Sequence, residues 1–168
     1  MNSVRNKMIL ILLTCSVTLI SVIYLFQLYI KTHNINVYFV KNISTTKSEL
    51  KLLRRPYQKG NNDRLNAAIS SLLQGPTAEE QKQGYYTEIP EGTKLIEIKY
   101  LANETDINLS KEFNSEGGSE SLEFGLNQII NTTLDERSKK PVYLEVEEQK
   151  VKYIGGEGLE VPQPLEKI

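Results

Sequence analysis

The chain has 168 residues and is nearly neutral, with 20 lysines and arginines against 21 aspartates and glutamates. One histidine and one cysteine exclude a zinc site built on those ligands, Ser-His-Asp and Cys-His catalysis, and an internal disulfide. Every acidic residue lies beyond Lys31, so the body of the chain is acidic on balance and nucleic acid is not an expected partner.

The run from Met8 to Ile30 holds no charge and is bracketed by Lys7 and Lys31. At a rise of about 1.5 Å per residue it is long enough to cross a hydrocarbon core of about 30 Å. A cleaved signal would need a shorter apolar core followed by small residues, but the greasy run continues through Tyr24, Leu25, Phe26, Leu28 and Tyr29. Lipid attachment at Cys15 would need a small residue in place of Thr14 and a polar tether after it. An uncleaved membrane anchor over residues 8–30 is therefore expected, with Tyr24 and Tyr29 at the far interface. Arg5 and Lys7 place residues 1–7 in the cytoplasm by the positive-inside tendency. Residues 31–34 are then a short tether, and residues 35–168 an extracytoplasmic domain close to the bilayer.

Within that domain Ile35, Val37 and Phe39 alternate with more polar residues and predict a first strand. Leu50, Leu52 and the basic residues Lys51, Arg54 and Arg55 suggest a second, ending near Pro56. Leu65, Ala68, Ile69, Leu72 and Leu73 then form one helical stripe, capped by Asn61 or Asn62 and stopped by Gly75-Pro76. Thr77-Ala78-Glu79-Glu80 reads as a capping box opening a short helix that Gly84 ends, so Glu80 is a cap and not a catalytic acid. Ile89-Pro90-Glu91-Gly92 turns into a strand over Lys94–Tyr100, with Ile96, Ile98 and Tyr100 on one face and Glu97 and Lys99 on the other. Asp106–Leu109, closed by Ser110, is a further strand, and one face of the resulting sheet is expected to be wet. Ser119 is placed to cap a second amphipathic helix whose Leu122, Leu126, Ile129, Ile130 and Thr133 face the core. Val142–Val146 is a strand, and Gln149-Lys150 is expected to turn it back into Val151–Ile154. The order ββαββαββ implies an α+β two-layer sandwich, with two helices on one face of a mixed or antiparallel sheet, preceded by one transmembrane helix.

The ordered series Gln74-Gly75-Pro76-Thr77, Glu80, Gly84, Pro90 and Gly92 resembles the first half of the GerMN domain of bacterial sporulation and spore-germination proteins. Ser110 and Phe113, Gly118-Ser119, Gln128 through Thr132, and Gly155-Gly156 are similar to its second half. Asn108 and the Tyr85-Tyr86 pair depart from the family pattern. The resemblance covers roughly residues 35–165 in a single copy. It implies an exported, envelope-associated domain without a catalytic constellation, akin to ring-building domains that assemble envelope complexes during sporulation.

Other candidate sites have plainer readings. Glu145 and Glu147, two apart on a strand, could bind a cation with Glu97, but a solvated sheet face beside Lys99 explains them as well. Lys47, Lys51, Arg54, Arg55, Lys59 and Arg64 form a basic segment that could meet anionic lipid or wall polymer, though charged edge strands commonly serve to resist pairing. Asn42, Asn103, Asn108 and Asn131 head chance glycosylation sequons. The expected function is non-enzymatic, with no cofactor or metal. An envelope protein or a second copy would contact the sheet through residues such as Lys99, Tyr143 and Glu145. The alternative is a wall-glycan or peptide sensor whose pocket is lined by Tyr85 and Tyr86.

Overall fold

The computed structural model describes residues 2–57, 63–115, 117–136 and 139–167, with side chains omitted for residues 2–11, 31 and 32. The chain divides into two units, Met1–Asn34 and Ile35–Ile168. The first unit is one helix, α1, Asn2–His33, whose segment Leu12–Ile30 is long and apolar enough to cross a membrane. Its hydroxyl groups return to the helix: Ser16, Thr18 and Ser21 donate to the carbonyls of Leu13, Cys15 and Val17 at 2.8–2.9 Å. A hydroxyl satisfied in this way is tolerated among lipid chains. The residues expected as a tether are the last helical turn, to His33, followed by the first residue of a strand.

The second unit is α+β. A hairpin of β1 (Asn34–Ser44) and β2 (Lys47–Pro56) turns through Thr45-Thr46, and β1 also pairs antiparallel with the two-residue β3 (Tyr85–Tyr86). Ile35, Val37, Phe39 and Val40 of β1 are buried. Between β2 and β3 lie α2 (Arg64–Leu73) and α3 (Ala78–Lys82). Asp63 caps α2, accepting from the Asn66 amide at 2.8 Å; the expected caps Asn61 and Asn62 lie outside the described residues. Leu65, Ala68, Ile69 and Leu72 give α2 its buried stripe. Gly75, at φ +78°, takes the left-handed conformation just past the helix and donates to the Leu72 carbonyl at 2.9 Å. The Thr77–Glu80 capping box is formed in both directions.

A four-stranded sheet follows, in the order β4 (Leu95–Tyr100), β5 (Thr105–Leu109), β6 (Val142–Val146), β7 (Gln149–Lys150). It is mixed: β4 and β7 run antiparallel to their neighbours, whereas β5 and β6 are parallel. A parallel pair needs a long crossover. Here it is a 3-10 turn at Lys111–Asn114 followed by α4 (Ser119–Glu136), whose Leu122, Leu126, Ile129 and Ile130 join the core with Ile107, Leu109 and Leu144. A last ribbon pairs β8 (Tyr153–Ile154) with β9 (Leu159–Glu160).

Four local expectations fail here. The β6–β7 turn is Glu147-Glu148, not Gln149-Lys150. Its residues sit at φ +50° and +65°, a conformation that favours Asn-Gly. It is held from outside the turn by the Asn108 carboxamide oxygen, which accepts from the Glu148 amide at 3.1 Å. In β4 the register slips between Leu95 and Glu97, so Ile96 sits in a bulge and is exposed rather than sharing the burial of Ile98. Ser119 lies inside the first turn of α4 and its hydroxyl meets Glu157; the first helical carbonyl to accept is that of Gly118, from Leu122. Finally, all five residues of β5 are buried, so the outward face of the sheet is not simply wet.

Candidate interaction surface

That outward face is built in rows by strand register. Lys99, Asp106 and Tyr143 stand side by side across β4, β5 and β6, and Glu97, Asn108, Glu145 and Lys150 form the next row. Asp106 and Asn108 are almost inaccessible. Lys99 is shared between Glu145 at 3.3 Å and Glu97 at 3.5 Å. Lys150 is shared between Glu104 at 2.9 Å and Asp106 at 3.6 Å, and its ammonium lies 3.8 Å from the centre of the Tyr143 ring.

Two cations thus serve four carboxylates, and burial leaves polar atoms short of partners. Asp106 Oδ1 has only the long contact to Lys150, and Asn108 Nδ2 has no hydrogen-bond partner. Burial pushes the Asp106 carboxyl above the usual range, against the pull of Lys150 and with help from Glu104 and Glu145. The hydrogen bond to Glu145 raises Lys99, and the one to Glu104 raises Lys150.

The sheet's two edges differ. At one end the last strand is the two-residue β7, and the remainder of the outer side of β6 is covered by the tail of the unit. Gln163 accepts from the Leu144 amide at 3.1 Å and donates to the Leu144 carbonyl at 2.9 Å, and the Leu165 amide reaches Val142 at 2.7 Å. At the other end β4 is the last strand. It carries the exposed apolar residues Ile96 and Tyr100, and Leu101 follows them.

The residues singled out from sequence separate into groups. Lys99, Tyr143, Glu145 and Glu97 come together on the outward face. Glu147 does not: beyond β6, it accepts from the Lys111 amide at 2.9 Å, so the three-glutamate cation site is not assembled. Among the described residues no group of three or more acidic, histidine or cysteine side chains is placed to hold a metal. Tyr85 and Tyr86 are half-buried in β3, one beneath Lys41 and the other donating to Ser48 at 2.8 Å. A cleft of about 280 Å³ lies nearby, lined by Thr87–Glu91, Ser115, Gly117, Ser121 and Leu122, and neither tyrosine contributes to it.

The remaining motif residues hold the frame. Glu80 also pairs with Arg55, whose guanidinium donates to the carbonyls of Ser71 at 2.8 Å and Gly75 at 3.0 Å and lies over the Phe39 ring. Arg55 is therefore internal rather than part of a basic surface. Lys59 lies outside the described residues, Lys47 and Lys51 both pair with Glu49, and Arg64 pairs with Glu136. Pro90 accepts from Thr93 in the turn containing Gly92, Ser110 accepts from the Lys94 amide at 3.0 Å, and Phe113 is buried. Gly84 closes α3 and Gly156 sits in the β8–β9 turn. Gly155, at φ +69°, lies where an added Cβ would press on the Leu122 side chain, so a side chain there is strained by its backbone and must displace that leucine.

Gln128 and Thr132, read from sequence only as motif residues, prove to be edge seals. Gln128 donates to the Tyr38 carbonyl at 3.1 Å and accepts from the Glu88 amide at 2.9 Å. Thr132 accepts from the Tyr38 amide and Glu136 from the Asn36 amide, at 3.0 and 2.7 Å. Three polar side chains four residues apart thus face one stretch of β1 backbone, as a partner strand would.

The fold is thus an α+β domain built on a mixed four-stranded sheet whose parallel pair is joined through α4. A family model described as Germane, sporulation and spore germination, matches residues 36–152, and the chain belongs to that family. The first GerMN domain of the sporulation protein GerM from Bacillus subtilis is 16% identical and has a TM-score of 0.59 over 77% of this chain and 93% of that one. The tandem GerMN domains of the same protein are 20% identical, with a TM-score of 0.56 over 80% of this chain and 46% of that one. At these identities the likeness is one of fold. A comparison with curated protein sequences gives no match.

Proposed function

We propose that the chain is a membrane-anchored, non-enzymatic interaction module of the bacterial envelope, with α1 as an uncleaved anchor and the α+β unit outside the cytoplasmic membrane. The supporting observation is the end of the four-stranded sheet: a strand with exposed apolar side chains, beside a row of charges in which carboxylates outnumber ammonium groups, while at the other end the last strand, β7, is only two residues long and Gln163 covers the rest of β6. Native proteins normally blunt such an edge or pair it. Strand addition would supply main-chain hydrogen bonds, and the flanking charges would choose the partner.

The reading is tested by placing a photo-crosslinking residue at Lys99, Tyr143 and Tyr85 in separate full-length variants and irradiating intact cells. Discrete protein adducts at Lys99 and Tyr143 are expected. Silence there, with glycan or peptide adducts at Tyr85, would replace this reading with that of a wall-ligand sensor.

A further inference from the structure

Resting on the reading of the unit as an interaction module, we infer that the partner of β4 is the β4 strand of a second copy of this chain, paired antiparallel about a two-fold axis at Ile98. The residues Leu95-Ile96-Glu97-Ile98-Lys99-Tyr100-Leu101 are complementary to themselves when reversed. In that register Glu97 lies opposite Lys99 of the partner subunit and Lys99 opposite the partner's Glu97. Symmetry makes both pairs at once, as an isologous interface requires. Directly opposed side chains have Cβ atoms about 4.5–5.5 Å apart, close enough for opposite charges and aromatic–aliphatic pairs to stabilise the contact.

The exposed side chains find partners in the same register. Ile96 is 45% exposed and Tyr100 53% exposed, and each meets the other across the axis. The Tyr100 hydroxyl is hydrogen-bonded to Asp63, the α2 cap, which leaves its ring to make the contact. Ile98 meets itself, extending the row of Ile107 on the core side. Within one copy Lys99 is divided between Glu97 and Glu145. In the pair each Lys99 can keep its own buried Glu145 and turn to the partner's Glu97 instead of its own, so the charges are exchanged between copies at an unchanged ratio. By symmetry a bulge falls at each end of the pair, and the regular ladder runs through Glu97, Ile98 and Lys99 of both copies, whose register with β5 is unbroken. The product is one sheet of eight strands, two copies of β4-β5-β6-β7, with the short β7 at each outer end and Gln163 beside it on β6.

The test uses full-length chains in detergent micelles, with Glu97→Lys and Lys99→Glu variants examined separately and mixed, by sedimentation velocity. Wild type is expected to dimerise. Each variant alone faces two like-charge pairs and should dimerise at least about tenfold more weakly, whereas an equimolar mixture restores both opposite-charge pairs and should recover the dimer. Circular dichroism checks that each variant is folded. Should Lys99→Glu fail to fold beside Glu145, a C15S/I98C chain provides a second test, because its single cysteine lies on the axis and should form a disulfide dimer under mild oxidation. A monomeric wild type, a dimer indifferent to the charge reversals, or a mixture that fails to recover would each overturn the inference. Adducts to other envelope proteins from crosslinkers on this face, with wild type monomeric, would overturn self-pairing yet leave the interaction-module reading standing.

Discussion

The edges of β1 and β4 present the same problem and are treated in opposite ways. Along β1 the amides of Asn36 and Tyr38 and the Tyr38 carbonyl meet Glu136, Thr132 and Gln128, so a helix face completes a sheet. Along β4 no such stripe was found among the described residues, and the strand ends the sheet with apolar side chains in the open. The lesson is that edge closure in this fold belongs to particular side chains rather than to the topology. The strand left open is accordingly the place to look for a partner.

The comparison can be broken most severely at Gln128. Gln128→Leu keeps much of the volume but leaves the half-buried Glu88 amide and Tyr38 carbonyl without this partner, and should destabilise the unit by about 2–3 kcal/mol in chemical denaturation. A loss below about 1 kcal/mol would mean that the seal is ornamental.

The Arg55–Glu80 pair fastens β2 to the α2–α3 corner and gives the comparison a pH dependence. Burial raises the Glu80 pKa, but the hydrogen bonds from Arg55 and Thr77 outweigh it, so the folded value lies below the ordinary 4.5. A depressed carboxylate stabilises the fold above its unfolded pKa, and that contribution is lost as pH falls through the folded pKa. Glu80→Gln should therefore cost about 2 kcal/mol at pH 7, and its stability should decline less steeply than that of wild type below about pH 4.5. Parallel acid limbs in pH-dependent urea melts would contradict this.

On the outward face the sign reverses. The raised pKa of Asp106 means that its favourable contribution is complete below the unfolded value of 3.8 and is lost as pH rises through the folded value. Asp106→Asn should melt higher than wild type at pH 7, by roughly 2–4 °C, and the gain should vanish near pH 3. The smallest expected effect is at the β6–β7 turn. Glu148→Gly removes a left-handed penalty while keeping the amide bonded to Asn108, and should stabilise by about 0.5 kcal/mol in equilibrium denaturation.

What the sequence revealed follows how local each cause is. The Thr77–Glu80 box was legible because both partners lie within four residues, and the apolar stripes of α2 and α4 because their period reports the buried face. The Glu147-Glu148 turn was not: neither residue favours positive φ, and the groups that hold it, on Asn108 and Lys111, are far away in sequence. Asp106 and Asn108 read as the wet side of an alternating strand, since nothing nearby announces that Lys150 will lie against Asp106 and the Glu148 amide against Asn108. The sealing role of Gln128 was hidden for the same reason, its acceptor Tyr38 lying 90 residues away. The interface candidates Lys99, Tyr143 and Glu145 came from strand alternation and do share a face. Tyr85 and Tyr86 were read as an aromatic lining because they follow Gly84, and they do not contribute to the cleft at Thr87–Glu91.

The most direct test of the central claim sets the two outer edges against each other in living cells. A photo-crosslinking residue is placed at Ile96 on β4 or at Leu52 on β2, and adducts are compared after irradiation. The account predicts discrete protein adducts from Ile96 and few or none from Leu52, whose strand is flanked by Lys51 and Arg54. Equal labelling at both edges, or adducts from Leu52 alone, would contradict it.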